Sequence, residues 1–162
     1  MRNRCIAGIV ICLCATTLYS RASEAARATS AESLEVLPGF KVELLHSSQK
    51  GEGSWICMTK DAKGRLIISP QSDKEPLLRV TLDEAGQVKT IESIEAPVHS
   101  AMGLLYAHKS LYVSGHGPNG TGLYRLIDSN HNDRFEPDEV HFLKKIEGEG
   151  EHGNHALVLG PD

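Results

Sequence analysis

The chain alternates short apolar runs with clusters of turn-forming residues, and no segment has a convincing helical period. Apolar residues at every second position, or in short unbroken runs, are typical of strands. The separators contain Gly, Asn, Asp and Pro, which favour tight turns. Because the connections are short, an all-β antiparallel fold is expected. The pattern predicts ten strands, at about 40–45, 54–59, 65–69, 77–82, 87–92, 100–106, 110–114, 121–127, 140–146 and 154–159.

This pattern repeats along the chain with a spacing of 45 or 46 residues. Leu66 of the first copy corresponds to Leu111 of the second, and Arg79 corresponds to Arg125. A third copy begins at residue 154. Units of roughly 40 to 50 residues, each with four short strands, are typical of the antiparallel blades of a β-propeller. The alternative is a two-hairpin β domain with a chance similarity between its halves.

The number of repeats is small for a propeller. A closed propeller has at least four blades and often six or more, which takes roughly 200 to 300 residues. We therefore expect residues 34–162 to hold about two blades and the start of a third, an incomplete propeller. Blades need neighbours on both faces, so the expected protein is the front of a longer chain that needs the remaining blades to close, or a truncated remnant.

The amino terminus is typical of a secretory signal peptide. Arg2 and Arg4 precede an apolar run from Cys5 to Tyr19, and small residues follow. Fifteen helical residues reach about 22 Å, less than the ~30 Å hydrocarbon core of a bilayer. We therefore predict a cleaved signal peptide at 1–22, a linker at 23–33 and a secreted or periplasmic protein without a membrane span after cleavage. An uncleaved anchor, with membrane association, is the alternative.

The composition of the chain and the positions of its cysteines argue against some classes of function. The net charge is −4, and the Lys and Arg residues are dispersed, so no nucleic-acid partner is expected. Three of the four cysteines lie in the amino-terminal apolar run, which leaves Cys57 alone in a strand pattern. We interpret Cys57 as a structural thiol. The chain contains no CxxCH motif for covalent haem attachment.

The segment 128–139 has the spacing of a calcium-binding loop. Oxygen-bearing side chains stand at loop positions 1, 3, 5, 9 and 12. Position 6, where the sharp turn favours Gly, is Asp133. The alternative is a solvated acidic turn that needs no metal. The predicted calcium ligands are Asp128, Asn130, Asn132, Glu136 and Glu139.

A second polar cluster lies in the glycine-rich segment 148–155. It contains Glu151, His152 and His155 immediately before the third repeat. A His beside a carboxylate can act as a general base near neutral pH or as a metal ligand. A loop in which the histidines only satisfy backbone groups fits the local pattern equally well.

Several segments together resemble a known family. The segments GFKVELLHSS, GSWICMTKDAKGRLIIS, SAMGLLYAHKSLYVSGHGPNGTGLYRLIDSNHNDRFEPDEV and GEGEHGNHALVLGPD, within residues 38–162, are similar to the opening of the large planctomycete-type membrane-bound dehydrogenases, or haem-binding propeller proteins. The resemblance implies an amino-terminal propeller related to quinoprotein glucose and sorbosone dehydrogenases. In that family helical repeats and a c-type haem domain usually follow, so only the propeller front is expected in residues 38–162.

The resemblance also implies roles for the glycine-rich segment. His152 lies eight residues before Gly160 of a Gly-Pro-Asp turn, the place of a general base in quinoprotein sugar dehydrogenases. There it would take a hydroxyl proton while hydride passes to pyrroloquinoline quinone. Glu151 and His155 are the implied cofactor-binding neighbours. The chain departs from the family at His155-Ala156, where Gly-Arg is usual, and in the loop Asn130–Asp133, where Asp-Gly-Asp-Gly is usual.

These observations lead to two functional hypotheses. The first is the amino-terminal part of a secreted propeller that resembles quinoprotein sugar or alcohol dehydrogenases and passes electrons to a c-type haem, inactive as the 162-residue chain alone. The second is a non-catalytic propeller module that binds a carbohydrate or a protein.

Overall fold

The computed structural model describes residues 28–71, 75–147 and 155–161 of the chain. Its strands form two four-stranded antiparallel sheets, and within each sheet the strands lie side by side in chain order. Helical structure among the described residues is limited to the 3₁₀ turns Ala31–Ser33 and Pro137–Glu139. The first sheet consists of β1 Trp55–Lys60, β2 Leu66–Pro70, β3 Leu78–Leu82 and β4 Val88–Ser93. The second consists of β5 His99–Ala107, β6 Ser110–Gly117, β7 Gly120–Leu126 and β8 Val140–Lys145.

Eight of the ten predicted strands are confirmed, as is the all-β antiparallel class. The predicted strand at 40–45 is wrong, because that segment pairs with no described strand. Its alternating apolar residues have the period of a strand, but a strand also needs a hydrogen-bonding neighbour. Residues 155–159 likewise form no ladder. The predicted signal peptide and the linker up to residue 27 lie outside the described residues.

The two sheets pack face to face around one core. Ile67 on the first sheet belongs to the same buried cluster as Leu111, Val113 and Leu126 on the second. The first sheet presents the face that carries Ile67 and its cross-strand neighbour Arg79. The adjacent residues Ile68, Leu78 and Val80 form a separate buried cluster, as expected for side chains that alternate between the two faces of a sheet.

Three side chains of the first sheet form hydrogen bonds with the backbone of β5. The Cys57 thiol donates to the Ala101 carbonyl (3.2 Å), and the Ala101 N–H donates to Ser69 Oγ (3.1 Å). The Tyr106 N–H donates to Thr59 Oγ1 (3.0 Å). Burial raises the pKa of Cys57 to about 11, so it is a structural thiol and not a thiolate nucleophile at neutral pH.

Residues 155–161 run along the other face of the second sheet. The His155 carbonyl oxygen lies so near Gly103 that a Cβ on this glycine would stand 2.5 Å from it. Leu157 and Leu159 line a small cavity with Leu105 and Leu123 of the second sheet. The second sheet therefore lies between the first sheet and this terminal segment.

Candidate functional site

The loop between β7 and β8 returns from the second sheet to contact the first. At its centre, Asp133 accepts a bidentate pair of hydrogen bonds from Arg65, at 2.7 and 2.9 Å, and two more from Lys63 Nζ at 2.9 Å. Arg79 Nη2 donates to the Asp133 carbonyl oxygen at 2.7 Å. The Arg65 guanidinium holds the pKa of Asp133 well below its usual range. Asp133 therefore fixes the loop to the turn between β1 and β2.

Asp133 explains the missing glycine at loop position 6. Its φ is 65°, so the chain does adopt the left-handed conformation that this position of a calcium loop requires. A glycine would adopt it with less strain, but it would have no carboxylate for Arg65. Arg65 also bonds Asp61 through Nε (2.7 Å), and its pKa lies well above its usual range because of these carboxylates.

Four of the five predicted calcium ligands converge inside this loop. The Asn132 N–H donates to both Asp128 Oδ1 and Asn130 Oδ1, each at 3.0 Å. Asn132 Nδ2 donates to Glu136 Oε1 (2.8 Å), and Asn130 Nδ2 lies 3.4 Å from Glu136 Oε2. Two carboxylates and two side-chain amides thus belong to one hydrogen-bond network, and both group types can provide oxygen ligands for Ca²⁺.

Glu139, the fifth predicted ligand, has other partners. It is 5% exposed and accepts hydrogen bonds from the Ser129 N–H (2.7 Å), the Ser129 hydroxyl and the Glu136 N–H (3.3 Å). The Ser129 side chain is the main cause that lowers the pKa of Glu139 to about 2. Across residues 28–71, 75–147 and 155–161, no group of three or more His, Cys, Asp or Glu side chains is placed to hold a metal ion. The calcium site therefore stays a prediction, and it rests on Asp128, Asn130, Asn132 and Glu136.

The structure places one of the three residues predicted around the quinone. His152 and Glu151 lie outside the described residues. His155 is described; it is exposed, and its backbone carbonyl contacts Gly103. Its backbone therefore packs on the second sheet while its side chain remains accessible.

A cavity of about 620 Å³ lies between the sheets, and sequence reasoning missed it. Its apolar wall includes Ile67, Tyr106, Leu111, Leu126 and Phe135. Arg79 also lines it and is only 6% exposed. The sequence signal was a charged residue within the apolar run Leu77-Leu78-Arg79-Val80, which places a cation on a buried strand face.

A histidine pair at the other end of the second sheet was also missed. The rings of His99 and His116, cross-strand neighbours on β5 and β6, stack with centroids 5.6 Å apart. His116 Nε2 lies 2.8 Å from Thr121 Oγ1, and His99 Nδ1 lies 3.1 Å from Ser100 Oγ. Ser100 has a φ of 49°, in the left-handed region. The pair has hydroxyl partners, so the geometry shows a polar contact between strand ends.

The comparisons with known proteins assign the chain to no family. No protein-family model, no curated protein and no solved structure matches the chain. In the described part of the chain, no helix has the length and apolar character needed to cross a membrane.

Proposed function

We propose that the two sheets are consecutive blades of a β-propeller and that residues 155–161 begin the next blade. The observation that carries this proposal is the equivalence of Cys57 and Gly103. Each pairs with a serine of the next strand, Cys57 with Ser69 and Gly103 with Ser114. Each also lies beneath a backbone carbonyl of the following unit: Ala101 for Cys57 and His155 for Gly103.

The packing faces support the same proposal. The first sheet uses the face of Ile67 and Arg79 against the second sheet. The second sheet uses the corresponding face, with Tyr112 and Leu123, toward Leu157 and Leu159. Contact between unlike faces is a head-to-tail interface, and repeated head-to-tail interfaces form a ring when the rotation closes. A sandwich of two sheets with their like faces together would end after two units.

For the biochemical activity, we propose a secreted propeller of the quinoprotein dehydrogenase type. This proposal rests on the sequence resemblance and on the placement of His152 before the Gly-Pro-Asp turn. A bound quinone would supply the hydride acceptor, and a haem domain would take the electrons. In this proposal Ca²⁺ binds Asp128, Asn130, Asn132 and Glu136.

The redox proposal is tested by an activity assay on the protein translated from the complete gene. Pyrroloquinoline quinone and Ca²⁺ are added, and sugar-dependent reduction of a dye is measured for the parent protein and for His152→Ala. His141→Ala is the matched control, because His141 is an exposed histidine on β8. We expect reduction that is lost in His152→Ala and kept in His141→Ala.

Two outcomes would contradict the redox proposal. One is a failure to bind the quinone, and the other is dye reduction that survives His152→Ala. Either would leave the blade assignment in place and favour the non-catalytic binding propeller.

A further inference from the structure

We infer that the cavity between the two sheets is a binding site for a small organic anion, a carboxylate with an apolar body, held by Arg79. The site requires only the packing of the two described sheets and does not depend on the redox proposal. Its volume of about 620 Å³ lies within the range typical of small-molecule sites, roughly 300 to 1,000 Å³.

Arg79 is a buried cation in the cavity lining that has no close ion pair. Its Nη2 donates to a neutral carbonyl, that of Asp133, and its nearest carboxylate, on the half-exposed Glu92, is 4.0 Å away. Among the described residues, no group accepts a hydrogen bond from the buried Arg79 Nε. Burial and the nearby Arg65 lower the pKa of Arg79. A buried guanidinium whose nearest anion is 4.0 Å away and half exposed is poorly compensated, so an arriving carboxylate would find a strong partner.

The carboxylates around the cavity already have partners. Both oxygens of Asp133 are bound by Arg65 and Lys63. Both oxygens of Asp128 accept backbone N–H groups. Lys109, which lies in the turn between β5 and β6, adds a further exposed cation to the lining. Among the cations of the lining, Lys63 and Arg65 are bound to Asp133 and Asp61, so Arg79 and Lys109 are the ones that remain available to an anion.

The cavity wall determines the class of anion. The partly exposed apolar residues of the wall are Tyr106, Ile127 and Phe135, and the buried Ile67, Leu111 and Leu126 adjoin them. A hydrated inorganic anion gains little from such a wall, whereas a carboxylate on an apolar body can bury that body while its two oxygens meet the guanidinium fork. We therefore infer an aromatic or aliphatic monocarboxylate.

The test is a titration of the full chain with benzoate, followed by amide NMR, with neutral benzamide as the matched probe. We expect saturable shifts at Ser110, Ile127 and Asp133, which line the cavity. Benzamide should bind at least about tenfold more weakly, because it cannot form charge-assisted hydrogen bonds.

Three variants locate the site. Arg79→Met should abolish benzoate binding and leave a folded protein, since Met keeps an apolar stem at this position and the Glu92 carboxylate that it leaves behind is half exposed to water. Lys109→Gln should weaken binding about two- to fivefold. Lys89→Gln, an exposed cation on β4, should leave binding unchanged.

The inference is overturned if benzoate does not bind, if benzamide binds equally well, or if Arg79→Met retains binding. If Arg79→Met does not fold, the comparison of benzoate with benzamide and the Lys109→Gln variant still decide. In that case, unchanged benzoate affinity in Lys109→Gln also overturns the inference.

Discussion

Arg65 and Asp133, 68 residues apart, form a bidentate ion pair that joins the first sheet to the loop leaving the second. The Arg65 side chain is 15% exposed and the Asp133 side chain 31% exposed. The pair is therefore partly shielded from water, which weakens charge interactions at open surfaces. Together with the Lys63–Asp133 pair, it links two sheets that otherwise meet through apolar packing and a few hydrogen bonds.

The first prediction concerns this ion pair. Asp133→Asn removes the charge but suits the left-handed backbone at this position, because Asn tolerates positive φ. We expect the free energy of unfolding to fall by about 1 to 3 kcal/mol, between the values typical of exposed and buried pairs. Urea denaturation at neutral pH measures it.

The matched control for Asp133→Asn is Glu95→Gln. Glu95 pairs with Arg134 at 3.1 Å, and both side chains are more than half exposed. We expect a change within about 0.5 kcal/mol. Equal losses in the two variants would show that the Arg65–Asp133 pair has no special role in stability.

The second prediction concerns acid stability. The folded state holds the pKa of Asp133 below its ordinary 3.8 and lowers that of Glu139 from 4.5 to about 2. A depressed folded pKa contributes stability that is present above the unfolded pKa and lost as pH falls through the folded one. We therefore expect stability to decline between pH 4.5 and pH 2, and less steeply in Asp133→Asn and Glu139→Gln. Urea midpoints across this range test it, and slopes equal to the parent's would contradict it.

The third prediction concerns calcium. Because Asp128, Asn130, Asn132 and Glu136 converge, millimolar Ca²⁺ should raise the melting temperature, as ligands of the native state do. Asp128→Asn should remove the response. Glu139→Gln should keep it, because Glu139 bonds Ser129 instead. An unchanged melting temperature with Ca²⁺ and with a chelator would show that the loop is an acidic turn.

The fourth prediction concerns the hydrogen bond between Ser69 and Ala101. Ala101 is fully buried, so Ser69→Ala leaves its N–H without an acceptor. We expect a loss of about 1 to 3 kcal/mol and faster hydrogen exchange at the Ala101 amide. Thr90→Ala, at an exposed position of β4, is the control. An Ala101 amide that exchanges as slowly in Ser69→Ala as in the parent would contradict the contact.

The strands could be predicted because each one depends mainly on residues that are close to it in the sequence. Turn residues such as Gly64 and Gly86, both at positive φ, separate apolar runs that pair with their immediate neighbours. The strand predicted at 40–45 is not formed, because an alternating pattern within one segment does not show whether a partner strand lies beside it.

The candidate site was less predictable because its contacts are not local. In the sequence, Asp133 departs from the calcium-loop pattern, which favours Gly at this position. In the structure, its carboxylate binds Arg65 on the other sheet. Glu139 had the right loop position, but its carboxylate bonds Ser129. Arg79 was noticed only as a repeated residue, since its burial against the second sheet depends on how the sheets pack. Spacing indicates which residue types are available, and packing determines what they contact.

The central claim is the head-to-tail packing of two like sheets, and methyl–methyl NOEs in the full chain test it most directly. Ile67 and Ile68 are neighbours that point to opposite faces of the first sheet. The account predicts NOEs from Ile67 to Leu111 or Leu126, and none from Ile68 to either. NOEs from Ile68 to these leucines, or no NOE between the two sheets, would contradict it.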